Sequence, residues 1–193
     1  MARTLIVPGL NNSGPDHWQS WWQALEPDSV RMAHDDWATP DLARWQTAVE
    51  AALDKERAPV WIVAHSFGCL ASVAAAVAKP RTVLGAFLVA PADPDKFKAA
   101  DLLPRDELPF PSVVVASIND PWMKFITSAY WAGCWGSRLM NVGRAGHINP
   151  ESGFGPWVEG RNLFASFGRA QEDWPSGDIP DLSAGVQQHR CTF

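Results

Sequence analysis

Short apolar runs alternate with longer stretches whose apolar residues recur every three or four positions, and this alternation continues for most of the chain. Residues 5–8, 60–64, 86–90, 112–117 and 138–142 read as strands, with a weaker one around 30–33. Between them lie helical patterns. Residues 15–25 place Trp18/Trp22 and Trp21/Leu25 at i, i+4 spacing, with Pro15 suited to a first turn and Ser13 or Gly14 to the cap. Residues 39–55 line up Leu42, Trp45, Val49 and Leu53, with Thr39 as the expected cap and Pro40 after it. Residues 69–78 (CLASVAAAVA) form an Ala-rich stretch without a breaker, and residues 121–133 and 155–167 predict two more helices. Near-continuous Val/Ile/Leu strands separated by helices indicate a mainly parallel sheet covered on both faces. The fold class is therefore α/β, a three-layer α/β/α sandwich, and ligands of such sheets sit at the carboxyl ends of the strands. Residues 1–171 are read as one domain. From 172 to 193 the periodicity is lost and Pro, Gly and Asp gather, as expected of an extended or partly disordered tail.

Composition narrows the function classes. With 193 residues, 47% hydrophobic and 19% charged, the chain is long enough for a sizeable core. Its net charge of −5, with no basic run, argues against nucleic acid as a partner. No stretch approaches the length of a membrane span, and the N-terminus MARTLIVPG lacks the features of a secretory signal. Cys69, Cys134 and Cys191 are odd in number and widely spaced; they suit a reducing cytoplasm and give neither a disulfide framework nor a zinc pattern. No phosphate-cradling glycine motif and no metal-ligand spacing is present, so no cofactor and no metal is expected.

The chemistry concentrates at VWIVAHSFG, residues 60–68. A strand runs into a serine between small residues and on into a helix, which is the context of a nucleophile elbow in the form A-x-S-x-G, with Ala64 and Gly68 as the small positions. A serine hydroxyl needs a base, and the base needs an orienting acid. Asp120 follows the strand 112–117, and His147 follows the strand 138–142, in the order Ser, acid, His, both on the rim expected to carry Ser66. Each has a plainer reading: Ser66 as a helix cap, Asp120 as a turn former before Pro121, His147 as loop decoration. Asp93, after the strand 86–90, is the reserve acid. His65 is expected to point away from Ser66; His17 reads first as a helix cap or surface residue and second as part of the site lining; His34 and His189 lack the right context. Oxyanion donors are expected from the backbone N–H of Phe67 and that of Leu10, with Asn11 second. Asn11, His17 and Trp122 are candidate pocket residues, the Phe67 and Trp122 side chains candidate apolar walls, and residues 93–109 a charged excursion able to cover part of the rim. Cys69, inside the helix after the elbow, reads as core.

The segments VPGLNNSGPDHW, VAHSFGCLAS, APADPD, SINDPW and GHINPESGFGPW resemble the compact serine-hydrolase family that includes retinoblastoma-binding protein nine and many bacterial homologues, from about Thr4 to Phe167. The resemblance implies a small α/β-hydrolase fold without a lid domain and a triad of Ser66, Asp120 and His147. The function expected is hydrolysis of a small carboxylic ester, or of a thioester or amide, through an acyl-enzyme on Ser66 in the cytoplasm. The partner expected is a small-molecule substrate, not a nucleic acid or a membrane. The alternatives are a catalytically silent binding protein of the same fold, and an acyltransferase using the same triad.

Overall fold

Six strands lie side by side in the computed structural model, which describes residues 2–172. In chain order the elements are β1 (Thr4–Val7), α1 (Trp18–Leu25), β2 (Val30–Arg31), α2 (Leu42–Leu53), β3 (Val60–His65) and α3 (Phe67–Ala78). They continue with β4 (Val83–Val89), β5 (Ser112–Ala116), α4 (Phe125–Cys134), β6 (Arg138–Asn141) and α5 (Val158–Glu172). The strands pair in the order β2-β1-β3-β4-β5-β6, and every pair is parallel. The order reverses direction between β1 and β3, so the loops leaving these two strands part and open a crevice at their carboxyl ends.

Side-chain alternation along the strands feeds two cores. Leu5, Val7, Ile62, Ala64 and Leu88 pack with α2, α3 and α4 on one face. Val63, Phe87, Val89, Val113 and Val115 pack on the other face with Trp18 and Trp22 of α1 and with Phe164 and Phe167 of α5. Much of the tryptophan content is explained here. Trp22 stacks on Trp157 and Phe164, and Trp45 meets Trp37 and Phe67 edge-on. Gln19 is fully buried and ties the floor of the crevice together. Its amide nitrogen donates to the carbonyls of Val7 and Val63, both at 3.1 Å, and its oxygen accepts from the Ser13 hydroxyl at 2.6 Å.

The strand–helix alternation and the covered parallel sheet are as the sequence predicts, while several boundaries move. α1 begins at Trp18 rather than residue 15, because His17 is the cap and its Nδ1 accepts from the Gln19 N–H. α2 begins at Leu42 rather than at 39, because the Asp41 carboxylate takes the N–H groups of Ala43 and Arg44. α4 begins at Phe125, since the Asp120 carboxylate is engaged in a turn with the Trp122 N–H. β4 starts at Val83, three residues before the expected strand, and α5 runs past Phe167 to Glu172. The tail of residues 173–193, with His189 and Cys191, lies outside the described residues.

Candidate active site

The strand β3 delivers Ser66 at φ 53° and ψ −124°, a left-handed conformation that costs a side-chain-bearing residue energy and turns the chain sharply into α3. The turn is held from below, where the Ser66 N–H donates to the Val89 carbonyl at 3.1 Å. Gly68 is required by close approach, because a Cβ there would stand 2.1 Å from the Pro8 carbonyl oxygen. Ala64 is fully buried between Val7 and Leu88 of the neighbouring strands, so the methyl that departs from a glycine is accommodated in the core. Although Ser66 sits at the cap position of α3, its hydroxyl makes no capping bond. The Oγ instead lies 2.9 Å from Nε2 of His147, whose Nδ1 lies 2.9 Å from Oδ2 of Asp120.

This chain of contacts defines the tautomer. A carboxylate only accepts, so Nδ1 of His147 carries the proton and Nε2 is left to accept from the Ser66 hydroxyl. The Asp120 side chain is almost wholly buried, and its second oxygen accepts from the Trp122 N–H at 2.8 Å. Asp93 stands apart from this group, with its carboxylate accepting from the Asp95 N–H.

The His147 loop is pinned by groups that sequence reasoning did not single out. The Gly146 N–H donates to Asn119 Oδ1 at 2.9 Å, and the Gly146 carbonyl accepts from the Ser117 hydroxyl. Gly146 has φ +56°, and a Cβ there would meet Ser152 Oγ at 2.4 Å. Ser152 Oγ accepts from the His147 N–H at 3.1 Å, and the Ile148 carbonyl accepts from Trp18 Nε1 at 2.9 Å. The nearest signal in the sequence was the clustering of Asn, Ser and Gly around each loop. Which loop would meet which was not written there.

A cavity of about 760 Å3 opens above Ser66 and His147. Leu10, Asn11, His17 and Trp122 all line it, as does His65. Trp122 is 56% exposed at the mouth. The Phe67 side chain is not a wall: it is fully buried between Trp45 and Phe97, because the first turn of α3 faces the core. Phe97, from the excursion between β4 and β5, lines the cavity in its place, and Lys96 beside it donates to the Trp122 carbonyl at 2.6 Å across the rim. Asn11 has φ +64°, and its N–H is taken by the Trp37 carbonyl at 2.8 Å. The N–H groups of Leu10 and Phe67 have no partner among the described residues, the latter because the first amides of a helix have no carbonyl one turn back.

His17 caps α1, one of its expected roles, and also lines the cavity as a candidate pocket residue, while His65, expected only to point away from Ser66, reaches the cavity wall as well. Both are buried polar residues on the cavity wall. The His65 ring lies 4.9 Å from that of His147, and its Nε2 is 3.0 Å from the His147 carbonyl oxygen, to which it donates. Burial lowers the His17 pKa to about 4, with the Arg31 guanidinium acting in the same direction, and burial pushes that of His65 well below its ordinary value. Cys69 is core: burial raises its thiol pKa well above normal, and its Sγ contacts the Val89 carbonyl at 3.4 Å.

The lowered His17 pKa links stability to pH. Its folded value lies below the 6.5 of the unfolded chain, so the unfolded state binds more protons between the two. The resulting stability, about 3 kcal/mol, is fully present above pH 6.5 and is lost as pH falls toward 4. His65 acts in the same sense. Urea unfolding will show a loss of at least about 2 kcal/mol between about pH 7.5 and pH 5. His17→Asn, which keeps an oxygen to cap α1, will flatten that slope.

Residues 4–166 match the family described as Serine hydrolase. The chain belongs to the serine hydrolase family. This serine hydrolase is similar to a YdeN-like hydrolase from Pectobacterium atrosepticum, at 39% identity over 89% of this chain and 92% of that one, with a TM-score of 0.85. It shares its fold with the ydeN gene product of B. subtilis, at 18% identity over 88% and 100% of the two chains and a TM-score of 0.72. It also shares its fold with ferulic acid-bound Est1E from Butyrivibrio proteoclasticus, at 14% identity over 89% and 88% and a TM-score of 0.64. No curated protein matches the chain. The serine hydrolase has no helix, among the described residues, long and apolar enough to cross a membrane.

Proposed function

We propose that this hydrolase cleaves a small carboxylic ester through an acyl-enzyme on Ser66, with thioesters and amides open to the same chemistry. The reading is carried by the continuous hydrogen-bonded series from Asp120 through His147 to Ser66 at the floor of the cavity. Ser66 Oγ attacks the substrate carbonyl while His147 Nε2 takes its proton. Asp120 holds the imidazole in the required tautomer and stabilises the imidazolium. The oxyanion that forms is met by the N–H groups of Phe67 and Leu10. His147 then gives the proton to the leaving alcohol, the C–O bond breaks, and the acyl group stays on Ser66. Water deprotonated by His147 attacks this acyl-enzyme in the same way, and the carboxylic acid leaves. The cavity volume supports a small-molecule substrate, since such sites occupy about 300–1,000 Å3.

Acid quenching during turnover of p-nitrophenyl acetate tests the acyl-enzyme. The expected result is a single acetyl group, mapped to the peptide containing Ser66. Hydrolysis with no acetyl group on Ser66, or the absence of hydrolysis from folded protein, contradicts the reading; the latter outcome is the one a silent binding protein gives.

A further inference from the structure

His17 and His65 are each about 5% exposed, yet both reach the cavity wall, and their rings lie 4.8 Å apart, edge to face. The bonds each ring makes to the protein fix where its proton sits. Nδ1 of His17 accepts from the Gln19 N–H at 3.2 Å, so the proton of the neutral ring is on Nε2. Nε2 of His65 faces the His147 carbonyl oxygen at 3.0 Å, an atom that only accepts, so the proton of that ring is also on Nε2 and its Nδ1 is bare. The low pKa values of both rings keep them neutral at working pH. Among the described residues, Nε2–H of His17 and Nδ1 of His65 have no hydrogen-bond partner, and neither atom is sealed inside the core.

One donor and one acceptor therefore belong to two rings whose centroids are 4.8 Å apart on the wall of the cavity that also holds the nucleophile. The pair selects chemically. A carboxylate would set its lone pairs against the bare Nδ1, and the charged residues lining the cavity beyond the triad, Asp16 and Glu151, would repel it. An ammonium group has only donors and would confront the N–H of His17. A hydroxyl answers both atoms, donating to one and accepting from the other.

We infer that His17 Nε2–H and His65 Nδ1 form a subsite for a neutral hydroxyl group of the substrate, so that the ester hydrolysed is a hydroxylated one. This rests on the esterase reading above and adds the group by which the enzyme chooses among esters. A wall built to bond a hydroxyl disfavours the analogue that carries a methyl there, because its own buried polar atoms are then left unmatched.

The test uses the full chain and two isosteric pairs of esters, one for each side of the scissile bond. Ethyl 3-hydroxybutyrate against ethyl 3-methylbutyrate places the hydroxyl on the acyl side. 2-Hydroxyethyl butyrate against propyl butyrate places it on the alcohol side. The expected result is a kcat/KM ratio of about fivefold or more in favour of the hydroxylated ester in at least one pair. In His17→Ser, whose hydroxyl can still cap α1 but ends two bonds short of the Nε2 position and so cannot reach the subsite, the same ratio falls to about one. Because the ratio is taken within one protein, a general loss of activity in the variant cancels. A ratio near one in both pairs, or a preference retained in His17→Ser, overturns the subsite while leaving the esterase intact. If none of the four esters is turned over and Ser66 takes no fluorophosphonate label, the esterase reading itself has failed.

Discussion

Ser66→Ala will lower kcat for a short-chain ester by about 10,000-fold or more while leaving KM for the residual reaction within a few-fold of its original value. The hydroxyl is the atom that would become acylated, and no neighbouring group can replace it: Cys69 Sγ is buried in the core and directed at the Val89 carbonyl. The fold will survive the change. Ser66 Oγ supports no helix cap, and its partner His147 Nε2 stays open to the cavity when the hydroxyl is removed. The melting temperature will therefore move by no more than about 2 °C. Loss of activity together with unchanged stability separates a chemical role for Ser66 from a structural one.

Asp120→Asn will have the second largest effect, a fall in kcat of about 1,000- to 10,000-fold with little change in KM. The Trp122 N–H holds one side-chain oxygen, so an amide at this position keeps its oxygen there and turns its NH2 toward His147. Nδ1 of His147 must then accept, the ring proton moves to Nε2, and the nitrogen facing Ser66 can no longer take a proton. Asp93→Asn is the matched control. Among the described residues its carboxylate bonds only to the Asp95 N–H of the local turn, so its kcat will stay within about twofold of the original. Steady-state kinetics on both variants decide between the two acids that follow adjacent strands.

The positions of Ser66, Asp120 and His147 were legible because each follows a strand whose apolar run marks it clearly, and parallel strands bring their carboxyl ends to one rim. Helix starts were less legible where two residues could cap. Thr39 and Asp41 flank Pro40, and only the fold shows that the Asp41 carboxylate takes the first amides of α2. Walls and supports were not legible at all when they depend on two distant loops meeting. Phe67 and Phe97 are both aromatic and near the rim, but the first faces the core and the second the cavity. His65 reads in one dimension as a bystander beside the serine; in three it carries the backbone of His147.

Fluorophosphonate labelling of the native chain, followed by intact-mass analysis and peptide mapping, tests the assignment of Ser66 as the nucleophile. One adduct per chain is expected, on Ser66, and none on Ser66→Ala protein that remains folded. An adduct on another residue, or no adduct on native protein whose melting transition is intact, contradicts that assignment.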